Sequence, residues 1–117
     1  MIRVKRVYDP PAAEDGTRFL VDRLWPRGVA RESLNMEAWL KDVAPSNELR
    51  RQFGHDPAQW PEFQCRYAEE LDARPESWRP ILEAAERGTV TLLFAARDEE
   101  RNNAVALERF LGEKLNG

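Results

Sequence analysis

The chain has 117 residues, 42% apolar and 33% charged, which suits one globular domain with one hydrophobic core and excludes a disordered chain. No apolar run approaches the roughly 20 residues that span a bilayer. A single cysteine (Cys65) and a single histidine (His55) exclude an internal disulfide and the usual zinc cages, so neither a metal nor a cofactor is expected. The net charge of −3 conceals an asymmetry: residues 1–31 carry seven basic and four acidic side chains, the remainder eleven and seventeen. The acidic remainder is ill suited to lie along a nucleic-acid backbone, and nucleic acid is not the expected partner.

Residues 2–7 alternate apolar and basic, the pattern of a half-buried strand. The stretch begins without the apolar run and cleavage site of a signal peptide, so the expected compartment is the cytoplasm. Residues 8–17 hold two prolines and Asp15-Gly16 and read as a loop. Residues 18–24 predict a second strand, whose continuous Phe19-Leu20-Val21 run implies burial on both faces. Trp25-Pro26-Arg27-Gly28 ends it. Residues 31–44 fit either a short helix or an extended segment.

Ser46 is a natural N-cap for a helix over 47–53, and Gly54 a natural stop. Asp56-Pro57 starts a second helix whose regular part begins nearer Trp60, because Pro61 interrupts an earlier start. Trp60, Phe63, Tyr67 and Leu71 then share one face, a core stripe from which Cys65 turns away. Ser77-Trp78-Arg79-Pro80 opens a third helix with Pro80 in its first turn, and Gly88 closes it. Residues 89–94 are the strongest strand, and Asp98 is the expected cap of a last helix burying Val105, Ala106, Leu107, Phe110 and Leu111. This order predicts an α/β fold: a single compact domain with a small, mostly parallel sheet flanked by helices in a Rossmann-like three-layer arrangement.

Ligands of open α/β sheets bind beyond the carboxyl ends of the strands. If 18–24 and 89–94 run parallel, that edge gathers Asp22, Arg23, Trp25, Arg27 and Gly28 from one strand, and Arg97, Asn102 and Asn103 from the other. Three guanidinium groups favour a phosphate- or carboxylate-bearing ligand, and Gly28 lets it approach the backbone. Asp22 can orient an arginine or act as an acid or base, and His55 beside Asp56 is a second candidate base. Two features argue the other way. Asp98-Glu99-Glu100 would repel an anion at the last helix's start, and Asp22 paired with an arginine under Trp25 would be a structural ion pair. The expected catalytic set is Asp22, Arg23 and His55, and the expected ligand-binding set Arg27, Gly28, Trp25, Arg97 and Asn103.

Several of these stretches resemble the YeaO-like branch of a large bacterial and archaeal family of unknown function. They include Val7-Tyr8-Asp9-Pro10-Pro11, Leu20-Val21-Asp22-Arg23-Leu24-Trp25-Pro26-Arg27-Gly28, Trp39-Leu40-Lys41-Asp42-Val43-Ala44-Pro45-Ser46, Phe53-Gly54-His55-Asp56-Pro57, Phe63-Gln64-Cys65-Arg66-Tyr67 and Thr91-Leu92-Leu93-Phe94-Ala95-Ala96-Arg97-Asp98 with Asn102-Asn103-Ala104. The resemblance implies one α/β domain over 1–117 and no particular activity. Two functions remain in view: a small enzyme or binding domain for an anionic, nucleotide-like molecule, and a non-catalytic protein-interaction module.

Overall fold

A computed structural model describes all residues, 1–117. Four strands, β1 (Ile2–Arg6), β2 (Thr17–Leu20), β3 (Ala38–Trp39) and β4 (Val90–Phe94), form one sheet in the order β1-β4-β2-β3, every pair parallel. The last strand in sequence is therefore central. All five of its residues are buried, as its β-branched and apolar composition demands. The register sets Ile2 opposite Val90 on one side, and Thr17 opposite Val90 and Leu20 opposite Leu93 on the other.

The two sheet faces are covered differently. Phe19, Val21, Val90, Leu92 and Phe94 join the main core with the apolar faces of the four helices. Those helices are α1 (Asn47–Phe53), α2 (Trp60–Asp72), α3 (Pro75–Arg87) and α4 (Asn103–Asn116). On the opposite face Val7, Leu20, Leu34 and Leu93 form a smaller cluster, closed by Trp25, Val29, Met36 and Trp39. The three layers are thus helices, sheet and a cover of loops containing 3-10 turns at Ala13–Asp15 and Arg31–Ser33.

The first loop crosses the sheet through a buried charge cluster. Asp15 is 1% exposed and accepts from Arg18 Nη1 at 2.6 Å, Lys5 Nζ at 3.1 Å and the Ala12 N–H at 3.0 Å. Thr91 Oγ1 donates to its carbonyl. Burial alone would raise the Asp15 pKa, but the Ala12 N–H and the two cations together hold it below the ordinary 3.8. Gly16 follows at φ +64°, and a Cβ there would lie 2.1 Å from the Thr89 carbonyl oxygen. Only glycine permits this approach of loop to strand.

Several boundaries differ from the sequence expectation. The second strand ends at Leu20 rather than residue 24. Val21 still donates to Leu93, but the chain then turns so that the Asp22 carboxylate accepts from the Ala95 N–H. Residues 31–44 are neither one helix nor one strand: Ala38–Trp39 pairs with Phe19–Leu20 as a two-residue edge, followed by a 3-10 turn at Lys41–Val43. The third helix opens at Pro75, preset for a first helical position, so Pro80 lies inside it. The last helix is capped by Asn102, whose Oδ1 accepts from the Val105 N–H at 2.9 Å. Asp98 instead closes the preceding turn, accepting from the N–H groups of Glu100 and Arg101. The Ser46 cap and Gly54 stop of α1 form as expected, and α2 Glu70 anchors the cap by accepting from both the Ser46 N–H and hydroxyl.

Candidate functional site

Beyond the carboxyl ends of β1, β2 and β4 lies a cavity of about 400 Å³. Its floor is built from the strand ends. Arg6, the last residue of β1, donates from Nε to the Ala96 carbonyl at 3.0 Å and from Nη2 to the Ala95 carbonyl at 3.1 Å. These bonds hold the backbone leaving β4, whose Ala95 N–H reaches Asp22 Oδ2 at 2.9 Å. Asn103, the first residue of α4, donates from Nδ2 to Asp22 Oδ1 at 3.0 Å and to the Val21 carbonyl at 3.1 Å. One carboxylate thereby joins β2, β4 and α4. Burial raises its pKa above the ordinary 3.8, opposed by the Asn103 and Ala95 bonds and the positive charge of Arg50.

Asp22 makes no ion pair with any arginine. Arg23, the next residue, has no carboxylate partner either. Its Nη2 donates to the Pro45 carbonyl at 3.2 Å, and its Nε is shielded from water with no hydrogen-bond partner. Such a donor is costly to leave unmade, and native proteins contain few of them.

The upper wall comes from loops. Trp25 Nε1 donates to the Val29 carbonyl at 2.6 Å, and its ring meets Trp39 edge-on at 5.4 Å, with the Arg31 guanidinium 4.9 Å from the ring. Trp39 in turn donates to the Asp22 carbonyl at 2.7 Å. Tyr8, just past β1, donates its hydroxyl to the Arg27 carbonyl at 3.0 Å and so ties the two loops together. On the far side, Arg50 and Phe53 of α1 and the following His55 contribute. His55 is the one non-glycine residue with positive φ, at +58°, held beside Phe53 with ring centroids 5.9 Å apart.

Of the residues expected at the site, Asp22, Arg23, Trp25, Arg27, His55 and Asn103 line this cavity. Gly28 and Arg97 do not. Gly28 has φ +78° and open space around it. Arg97 is exposed, although its neighbour Ala96 lies in the wall. Arg50 and Tyr8 line the cavity and were not expected. Tyr8 follows the carboxyl end of β1, and the strand-end rule reaches it once β1 is counted among the parallel strands. Arg50 lies one turn after the Ser46 cap, but its position at the cavity depends on how α1 packs.

The chain is similar throughout its length to known sequences. The model of a family described as "Inactive DUF488-N3 subclade" matches residues 1–117. "Uncharacterized protein YeaO" of Escherichia coli is 37% identical over 110 residues, covering 94% of this chain and 96% of that protein. "Uncharacterized protein Rv3073c" of Mycobacterium tuberculosis and "Uncharacterized protein Mb3100c" of Mycobacterium bovis are each 39% identical over 110 residues, covering 94% of this chain and 92% of theirs. No solved structure matches.

Proposed function

As the chain belongs to the family described as the inactive DUF488-N3 subclade, we propose that it is a binding domain. It holds a small phosphate- or carboxylate-bearing molecule in the cavity above the sheet, without turning it over. The observation that carries this reading is Arg23: a guanidinium in the cavity wall with no carboxylate partner and an unpaired Nε. Turning that side chain toward an occupant gives the donor its missing partner, and an oxyanion matches its fork. Arg27 and Arg50 add exposed positive charge to the same wall and steer an anion inward.

Two observations favour binding over catalysis. Both Asp22 oxygens are already held, by Ala95 and Asn103, which suits a brace between strands better than a proton carrier. The word "inactive" in the family's description points the same way. The exposed lone Cys65 suits the reducing cytoplasm.

A thermal-shift panel of inorganic phosphate, acetate, citrate, 2-naphthoate and nucleoside monophosphates, run on the wild type and on Arg23→Ala, tests the proposal. At least one anion should raise the wild-type melting temperature with saturation and leave the variant unmoved. Equal shifts in both proteins, or none at all, would refute it.

A further inference from the structure

We infer that the occupant of this cavity is an amphipathic monoanion, a carboxylate head on a flat apolar body. The inference rests on the anion-binding reading above and names the ligand class for that site. Size is the first argument. The cavity measures about 400 Å³. A bare inorganic anion displaces roughly two waters, or about 60 Å³ at ~30 Å³ each, and would leave most of it unfilled.

Charge is the second. Arg23 is the cation with a water-shielded, unpaired donor, and Asp22 stands next to it in the same wall. Arg27 and Arg50 are exposed, where solvent screens them. One negative charge is matched by Arg23; a second would be set against Asp22. The Nε and Nη2 edge of a guanidinium receives the two oxygens of a carboxylate, and turning Arg23 to present that edge exchanges the 3.2 Å bond from Nη2 to Pro45 for the ligand.

The rim is the third. Three large apolar side chains of the chain are markedly exposed, Met1, Tyr8 (48%) and Leu24 (65%), and two of them, Tyr8 and Leu24, line this cavity. Phe53 lies in the same wall. Apolar surface in the same wall as a half-buried guanidinium fits a ligand whose body covers Tyr8 and Leu24 while its head meets Arg23.

Isothermal titration with 2-naphthoate, acetate, inorganic phosphate and adenosine monophosphate tests the inference on the wild type, Leu24→Ser and Arg23→Met. Thermal unfolding checks that each variant folds, and Leu24 is exposed enough to be replaced. Naphthoate should bind at least about tenfold tighter than acetate or phosphate, since its rings bury apolar surface that those ions lack. Leu24→Ser should weaken naphthoate about three- to tenfold without changing acetate, and Arg23→Met should abolish both. Naphthoate indifferent to Leu24→Ser would overturn the inference. Phosphate or the nucleotide binding tighter than naphthoate, still dependent on Arg23, would overturn the ligand class and leave anion binding standing. No probe binding through Arg23 would overturn both.

Discussion

Replacing Arg23 with methionine separates a ligand-binding arginine from a structural one. The substitution keeps an unbranched apolar stem, removes the unpaired Nε and gives up the Nη2 bond to Pro45. Removing a buried, unsatisfied donor returns about 1–3 kcal/mol. Losing the bond costs about 1.5 kcal/mol, because at 3.2 Å it is a long charge-assisted contact. The net change, between about 0.5 kcal/mol lost and about 1.5 kcal/mol gained, is on the order of 1 kcal/mol, with the sign leaning toward greater stability. In a domain of this size that is a shift of about 4 °C in melting temperature. A buried, carboxylate-paired arginine would instead cost about 3–5 kcal/mol when removed. Urea unfolding followed by tryptophan fluorescence resolves the two outcomes. A loss of 3 kcal/mol or more would refute the reasoning and make Arg23 part of the scaffold.

The Asp15 cluster should behave in the opposite way. Asp15→Asn leaves Arg18 and Lys5 without their carboxylate and should cost about 3–5 kcal/mol in urea unfolding. The Asp15 pKa is lowered from 3.8, so between its folded value and 3.8 the unfolded chain binds the proton better. Its contribution is therefore complete above pH 3.8 and lost as pH falls through the folded value, a decline that Asp15→Asn should lack. Asp22 has the reverse sign, its pKa being raised above 3.8: the ionised form costs stability, and protonation as pH falls through the raised value relieves it. Anion affinity should consequently rise as pH falls toward that raised value, and Asp22→Asn should flatten the rise; an unchanged slope in titration calorimetry would contradict this. Gly16→Ala should cost more than about 3 kcal/mol or prevent folding, because the φ penalty adds to the clash with Thr89, whereas Gly28→Ala should cost only the ~1–2 kcal/mol of left-handed backbone.

What the sequence disclosed follows the range of the forces involved. The all-apolar β4, the Ser46 and Gly54 ends of α1 and the Phe63–Tyr67–Leu71 stripe of α2 are decided by neighbours within a few residues, and all three are legible. The parallel pairing of β2 and β4 was readable because two apolar runs separated by helices have few other arrangements. Elements decided at long range were not legible. Ala38–Trp39 is a strand only because the Arg18 and Leu20 carbonyls accept from the flanking Glu37 and Leu40 N–H groups, and two residues carry no periodicity. Asp98 and Asn102 are equally good caps by type; Arg101, pairing with Asp98 at 3.0 Å, closes a turn there and leaves the cap to Asn102.

The candidate site divides along the same line. Asp22, Arg23, Trp25, Arg27 and Asn103 lie beside strand ends, so finding the strands finds them. Arg97 was placed with them because it follows the carboxyl end of the 89–94 strand by three residues. β4 stops at Phe94, and Ala95 and Ala96 occupy the wall instead. The repulsion expected from Asp98-Glu99-Glu100 at the last helix weakens for a related reason: α4 begins at Asn103, and the acids belong to the turn before it. Arg50 reaches the cavity through the packing of α1 on α2, which no local pattern encodes.

The central claim is that the Arg23 Nε–H, which has no hydrogen-bond partner within the protein, takes one from a bound anion. Nuclear magnetic resonance of the arginine Nε–H groups during titration with 2-naphthoate observes that atom directly. The account predicts that the Arg23 Nε–H moves downfield and saturates, together with the Asn103 side-chain amide, while the Arg97 Nε–H stays in place. Saturating movement at Arg97 with none at Arg23, or no saturating change at any arginine, would contradict it.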